Sequence, residues 1–167
     1  MSLVPEMLVA NERYAATFDK GDLPRPPSLR LAVVTCLDGR IDAHEILGLR
    51  PGDANVIRNA GGRAADAVRS LAVSQQFLGT REIVVMFHTD CGQAAFGAEA
   101  FRDRIAENLG LAAATAAREI DFLPITDLEA TLRADVHFLR THPLLRHDIP
   151  VTGLIYDVKT GRVRVVD

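Results

Sequence analysis

Cys36 and Cys91 are the only cysteines in a chain of 167 residues, and each lies in a short polar stretch, Cys36-Leu37-Asp38-Gly39-Arg40 and His88-Thr89-Asp90-Cys91-Gly92. Two thiolates and one imidazole make a three-ligand set for zinc. Three protein ligands with one open position is the catalytic arrangement, whereas structural zinc usually closes with four. One disulfide is the competing use of two cysteines, but in a reducing compartment such a pair points to metal or catalysis. The two residues between His88 and Cys91 let a turning chain aim both at one ion. If the backbone stays extended past Cys36, alternate side chains share a face, so Asp38 and Arg40 flank the thiolate. Arg40 would then keep Asp38 ionised and oriented through a charge-assisted pair.

These residues need a scaffold, and the apolar patterning supplies one. Residues 31–36, 54–58 and 82–88 are short apolar runs of the kind found in strands buried on both faces of a parallel sheet. Residues 64–78, 94–109, 111–117 and 127–141 carry helical patterning, with Gly79 and Pro143 as stops and Thr126 or Asp127 as an N-cap. Residues 151–158 and 162–166 are strands joined by a tight connection at Lys159-Thr160-Gly161. Strands alternating with helices imply an α/β fold. Its central sheet has about four strands, mostly parallel, with an antiparallel C-terminal edge strand and flanking helices.

Residues 4–18 read as a further helix, cut off from the body by Gly21-Asp22-Leu23-Pro24-Arg25-Pro26-Pro27, where three prolines forbid regular structure. The length predicts one domain over residues 1–167, with residues 1–28 as an N-terminal helical arm and Pro-rich linker. The arm packs either on its own subunit or on a partner. Cys36 falls at the end of the first strand and His88 at the end of the third, where parallel sheets bind ligands.

Composition excludes several classes. With 48% hydrophobic and 25% charged residues the chain can bury a core. Its net charge of −3 leaves no basic footprint for nucleic acid. No apolar run is long enough for a membrane span, and the first residues lack a signal-peptide pattern, so a cytoplasmic location is expected. His44, His137, His142 and His147 lack partners at ligand spacing and read as surface or capping residues. Asp90 is as suited to capping the following helix as to bonding near the site.

Cys-x-Asp-x-Arg at 36–40, Arg58-Asn59-Ala60-Gly61, and His88-x-x-Cys91-Gly92, in this order and spacing, resemble the β-class carbonic anhydrases, as a short bacterial-type member would. The resemblance implies one Zn2+ per chain held by Cys36, His88 and Cys91, with Asp38 and Arg40 as a catalytic dyad. It implies reversible hydration of carbon dioxide to bicarbonate and a proton through zinc-bound hydroxide. In the family the aspartate either accepts a hydrogen bond from zinc-bound water or swings onto the metal, and the arginine decides between these states. The family's basic unit is a dimer, so a homodimer or higher homo-oligomer is implied, for which the detached arm gives a physical reason.

Two positions depart from the family pattern: Gly39 stands where Ala or Ser is usual, and the chain has no Trp, which removes the tryptophan-containing bicarbonate pocket of some regulated members. Two alternatives remain. One is a hydrolase of carbonyl sulfide or carbon disulfide on the same scaffold. The other is a catalytically silent zinc- or redox-sensing protein in which Asp38 closes the site.

Overall fold

The computed structural model describes residues 2–166. Its centre is a five-stranded sheet in the order β2-β1-β3-β4-β5, formed by β1 (Leu31–Cys36), β2 (Ala54–Asn59), β3 (Glu82–His88), β4 (Val151–Tyr156) and β5 (Val163–Val166). The first four run parallel and β5 pairs antiparallel with β4. This is the expected architecture. The chain leaves β1 toward β2 on one side and returns to β3 on the other, so a topological switch point lies between the carboxyl ends of β1 and β3.

Among the described residues there are seven α-helices: α1 (Val4–Ala15), α2 (Ala43–Leu47), α3 (Ala64–Phe77), α4 (Gly92–Ala95), α5 (Ala98–Leu109), α6 (Leu111–Ala117) and α7 (Leu128–Thr141). Helices α3 and α7 cover one face, where Ala67, Leu71, Leu132 and Leu139 bury Val34, Val85 and Phe87 of the sheet. A β-carbon at Gly153 would stand 3.1 Å from Leu132 and 3.2 Å from Val136, so α7 lies directly on β4. Asp127 caps α7, its side chain accepting from the Ala130 amide at 2.7 Å.

Local departures from the sequence expectation have local causes. The predicted helix over 94–109 is two helices, because Phe96 is extended and Gly97 starts α5 as its N-cap. Helix α2 was not expected. It is short, and it forms because Asp42 accepts from the amides of His44 and Glu45 while Gly48 ends it at φ +66°. Strand β4 stops at Tyr156, and residues 157–162 make a longer connection than a tight hairpin, closed by Asp157 and Arg162 backbone bonding at 2.8 Å.

The first helix ends at Ala15 and buries none of its residues. Among the described residues, no helix is long and apolar enough to cross a membrane.

Candidate metal centre

Cys36 is the last residue of β1, His88 the last of β3, and Cys91 the N-cap of α4. All three are buried, and one ligand atom from each lies within 4.8 Å of the others. The two Sγ atoms are 3.9 Å apart. Thiolates bound to one tetrahedral zinc at about 2.3 Å each stand roughly 3.8 Å apart, so the spacing suits that ion.

His88 completes the fit. Its Nδ1 lies 2.9 Å from the Thr89 carbonyl, which fixes the tautomer with the proton on Nδ1. Its Nε2 is buried and, among the described residues, has no hydrogen-bond partner, an expensive state for a ring nitrogen unless a metal takes its lone pair. Burial opposes protonation of this ring, but the neighbouring Cys36 sulfur, the Thr89 carbonyl and the Asp38 carboxylate together outweigh burial and raise its pKa. The Cys36 thiol is shifted down, chiefly by the hydrogen bond from Cys91, and the Cys91 thiol is pushed up by the same contact and by burial. The pair thus already stabilises one thiolate, the form a metal requires.

The Asp38–Arg40 pair forms differently from the extended-chain expectation. The strand ends at Cys36, and residues 38–41 turn, with Ile41 donating to the Asp38 carbonyl at 3.0 Å and the Arg40 amide donating to Asp38 Oδ1 at 2.9 Å. The side chains meet because the turn folds them together, Arg40 Nε reaching Oδ1 at 3.0 Å and Nη2 reaching Oδ2 at 2.8 Å. Those side-chain bonds hold the Asp38 carboxyl well below the usual carboxylate range and push Arg40 further up. Asp38 Oδ2 lies 4.0 Å from His88 Nε2, which places the carboxylate beside the cluster.

The strand β2 end supplies the support. Arg58 donates from Nε to the Cys36 carbonyl at 3.0 Å and from Nη2 to the Asp38 carbonyl at 2.6 Å, while Leu37 donates to the Asn59 carbonyl at 2.9 Å. Gly62, at φ +68°, has its Cα so close to β1 that a β-carbon would meet the Thr35 carbonyl carbon at 2.9 Å. The Arg58-Asn59-Ala60-Gly61 stretch therefore underpins the Cys36 turn, a role its sequence did not reveal. Arg63 and Asp135 were also missed: a buried pair at 2.8 Å in which Asp135 additionally accepts from the Ala64 amide at 2.8 Å, fixing the start of α3.

Leu37, Ala60, Gly61 and Gln93 enclose, with the cysteines, a cavity of about 200 Å³ at the cluster. Among the described residues, no other His, Cys, Asp or Glu joins the group. His142 and His147 bond to neighbouring backbone instead. Asp90 does not cap α4; its carboxylate bonds Arg40.

The sequence model described as carbonic anhydrase matches residues 31–163. The chain is 36% identical over 167 residues to β-carbonic anhydrase 1 of Mycobacterium tuberculosis, covering 99% of each. It is also 36% identical over 173 residues to a carbon disulfide hydrolase of an Acidianus strain, covering 92% of this chain and 83% of that one. Among solved structures, carbonic anhydrase from Glaciozyma antarctica superposes with a TM-score of 0.94 at 41% identity, covering 100% of both chains. The chain belongs to the β-carbonic anhydrase family of zinc enzymes, and Cys36, His88 and Cys91 form its metal-binding group.

Proposed function

We propose that this chain catalyses the reversible hydration of carbon dioxide to bicarbonate and a proton, with zinc held by Cys36, His88 and Cys91 and with Asp38 and Arg40 as the catalytic pair. Bound zinc would supply a Lewis acid that lowers the pKa of a water, making a nucleophile near neutral pH. Asp38 accepts a hydrogen bond from the attacking oxygen and so turns its lone pair toward the carbon. Arg40 keeps that carboxylate ionised and in place, since it bonds both oxygens. Leu37, Ala60 and Gly61 give the linear, uncharged substrate an apolar wall, and Arg58 holds the carbonyls of the turn that carries Asp38.

The observation that carries this reading is an arginine-held carboxylate 4.0 Å from the free Nε2 of His88, in a cluster with sulfurs at zinc spacing. Stopped-flow hydration of carbon dioxide, with zinc analysis of the same sample, tests it. One zinc per chain with turnover is expected; one zinc per chain without turnover replaces the enzyme with a closed site.

The Acidianus relative favours a second reading, hydrolysis of carbon disulfide or carbonyl sulfide, because these are also linear and uncharged. Consumption of all three gases assayed in parallel separates the two. The exposed apolar side chains of α1, among them Met7 and Leu8, support assembly with a second copy of the chain.

A further inference from the structure

One side chain joins the two turns that carry the metal-binding group. Beyond its bonds to both oxygens of Asp38, Arg40 reaches the turn after β3, giving Nη1 to Asp90 Oδ2 at 2.8 Å and Nη2 to the Asp90 carbonyl at 2.9 Å. Asp90 stands between His88 and Cys91 at φ +56°, a left-handed conformation that glycine adopts most freely and that Asp and Asn adopt more readily than other residues. Its side chain makes no cap, and among the described residues its one side-chain hydrogen bond is to Arg40.

That contact adds little to global stability, because Arg40 and Asp90 side chains are 48% and 70% exposed. Its consequence is geometric. Without the Asp90 carboxylate the guanidinium would keep only the carbonyl on this turn, reached by the same Nη2 that bonds Asp38, and could pivot about that nitrogen; the bond from Nη1 to the carboxylate fixes its plane. We propose that Asp90 is a positioning residue for the reaction, fixing the plane of the Arg40 guanidinium and through it the direction of the Asp38 carboxylate. The proposal rests on Asp38 and Arg40 being the catalytic pair.

Asp90→Gly removes the side chain while suiting the backbone, and Asp90→Asn retains an acceptor and tolerates the same φ. Asp90→Gly is expected to keep one zinc per chain and the parent melting temperature while kcat falls roughly tenfold. KM should stay within about twofold, since the lost interaction orients rather than binds. Asp90→Asn should recover most of the loss. In an Arg40→Ala background Asp90→Gly should lower kcat no further, because it acts through Arg40. The cobalt(II)-substituted protein supplies a readout without turnover: Asp90→Gly and Arg40→Ala should shift its visible bands in the same direction, as a loosened Asp38 moves relative to the metal. Asp90→Gly with parent kcat and parent cobalt bands would overturn the proposal, as would a loss that adds in full to that of Arg40→Ala. If the parent protein does not hydrate carbon dioxide, the functional reading falls alone, and the cobalt spectra still decide the role of Asp90.

Discussion

The carboxyl edge of the sheet and the N-terminal arm are built on opposite terms. At the edge, Cys36, His88 and Cys91 are 4%, 1% and 5% exposed, and every turn that carries them is bonded to a neighbouring strand or helix of the same chain. In the arm, α1 buries nothing, and Leu3, Val4, Met7 and Leu8 are 55–62% exposed. A single chain is therefore enough to gather the metal-binding group. It is not enough to cover the arm, whose apolar side chains gain only when a further surface removes them from water.

The largest effect is expected where the edge loses a ligand. His88→Ala removes the one nitrogen of the set and leaves two thiols, so zinc content should fall below about a tenth per chain and hydration by more than roughly a thousandfold. Metal analysis and stopped-flow on one sample check this. Full zinc and full turnover in that variant would mean the metal sits elsewhere.

The next effect is on the support beneath the edge. Asp135→Ala strands the Arg63 guanidinium in a site where its side chain is 12% exposed and frees the Ala64 amide, so unfolding free energy should drop by about 3–5 kcal/mol. Gly62→Ala combines a φ of +68° with a backbone collision at 2.9 Å and should cost about 1–3 kcal/mol, with weakened zinc binding because Cys36 follows the displaced strand end. Denaturant melts measure both. An unchanged midpoint for Gly62→Ala would show that the 60–62 turn can move away from β1 freely.

How far these features could be read from sequence follows from the range of the interactions. Cys36, His88 and Cys91 were legible because each ends a strand or starts a helix, and apolar runs locate strand ends well. The parallel sheet with an antiparallel edge was legible for the same reason. The Asp38–Arg40 pair was legible in its partners but not in its geometry, since alternation along an extended chain and a turn both bring residues two apart together. The roles of Arg58 and Asp135 were not legible, and bonding near the site was only one of two uses open to Asp90, because the partners lie 22, 72 and 50 positions away in the Arg58–Cys36, Arg63–Asp135 and Arg40–Asp90 contacts. The break at Phe96 and Gly97 interrupts a pattern that reads as one helix when periodicity is taken alone.

The smallest effect on the folded chain is expected in the arm, where it tests the other half of the comparison. Met7 and Leu8 are 61% and 60% exposed, so Met7→Glu with Leu8→Glu should alter the stability of a lone chain by no more than about 0.5 kcal/mol. A second copy covering α1 would instead have to bury two carboxylates, which is costly without partners. The assembly should then dissociate at concentrations where the parent remains associated, a change that sedimentation velocity detects as lower mass. Zinc content should stay at one per chain, because no bond to the metal-binding turns comes from residues 4–15. If mass is unchanged, the arm's apolar side chains are not the contact between copies. If zinc is lost together with mass, the edge is not self-sufficient, and the contrast between the two regions fails on the side of the site.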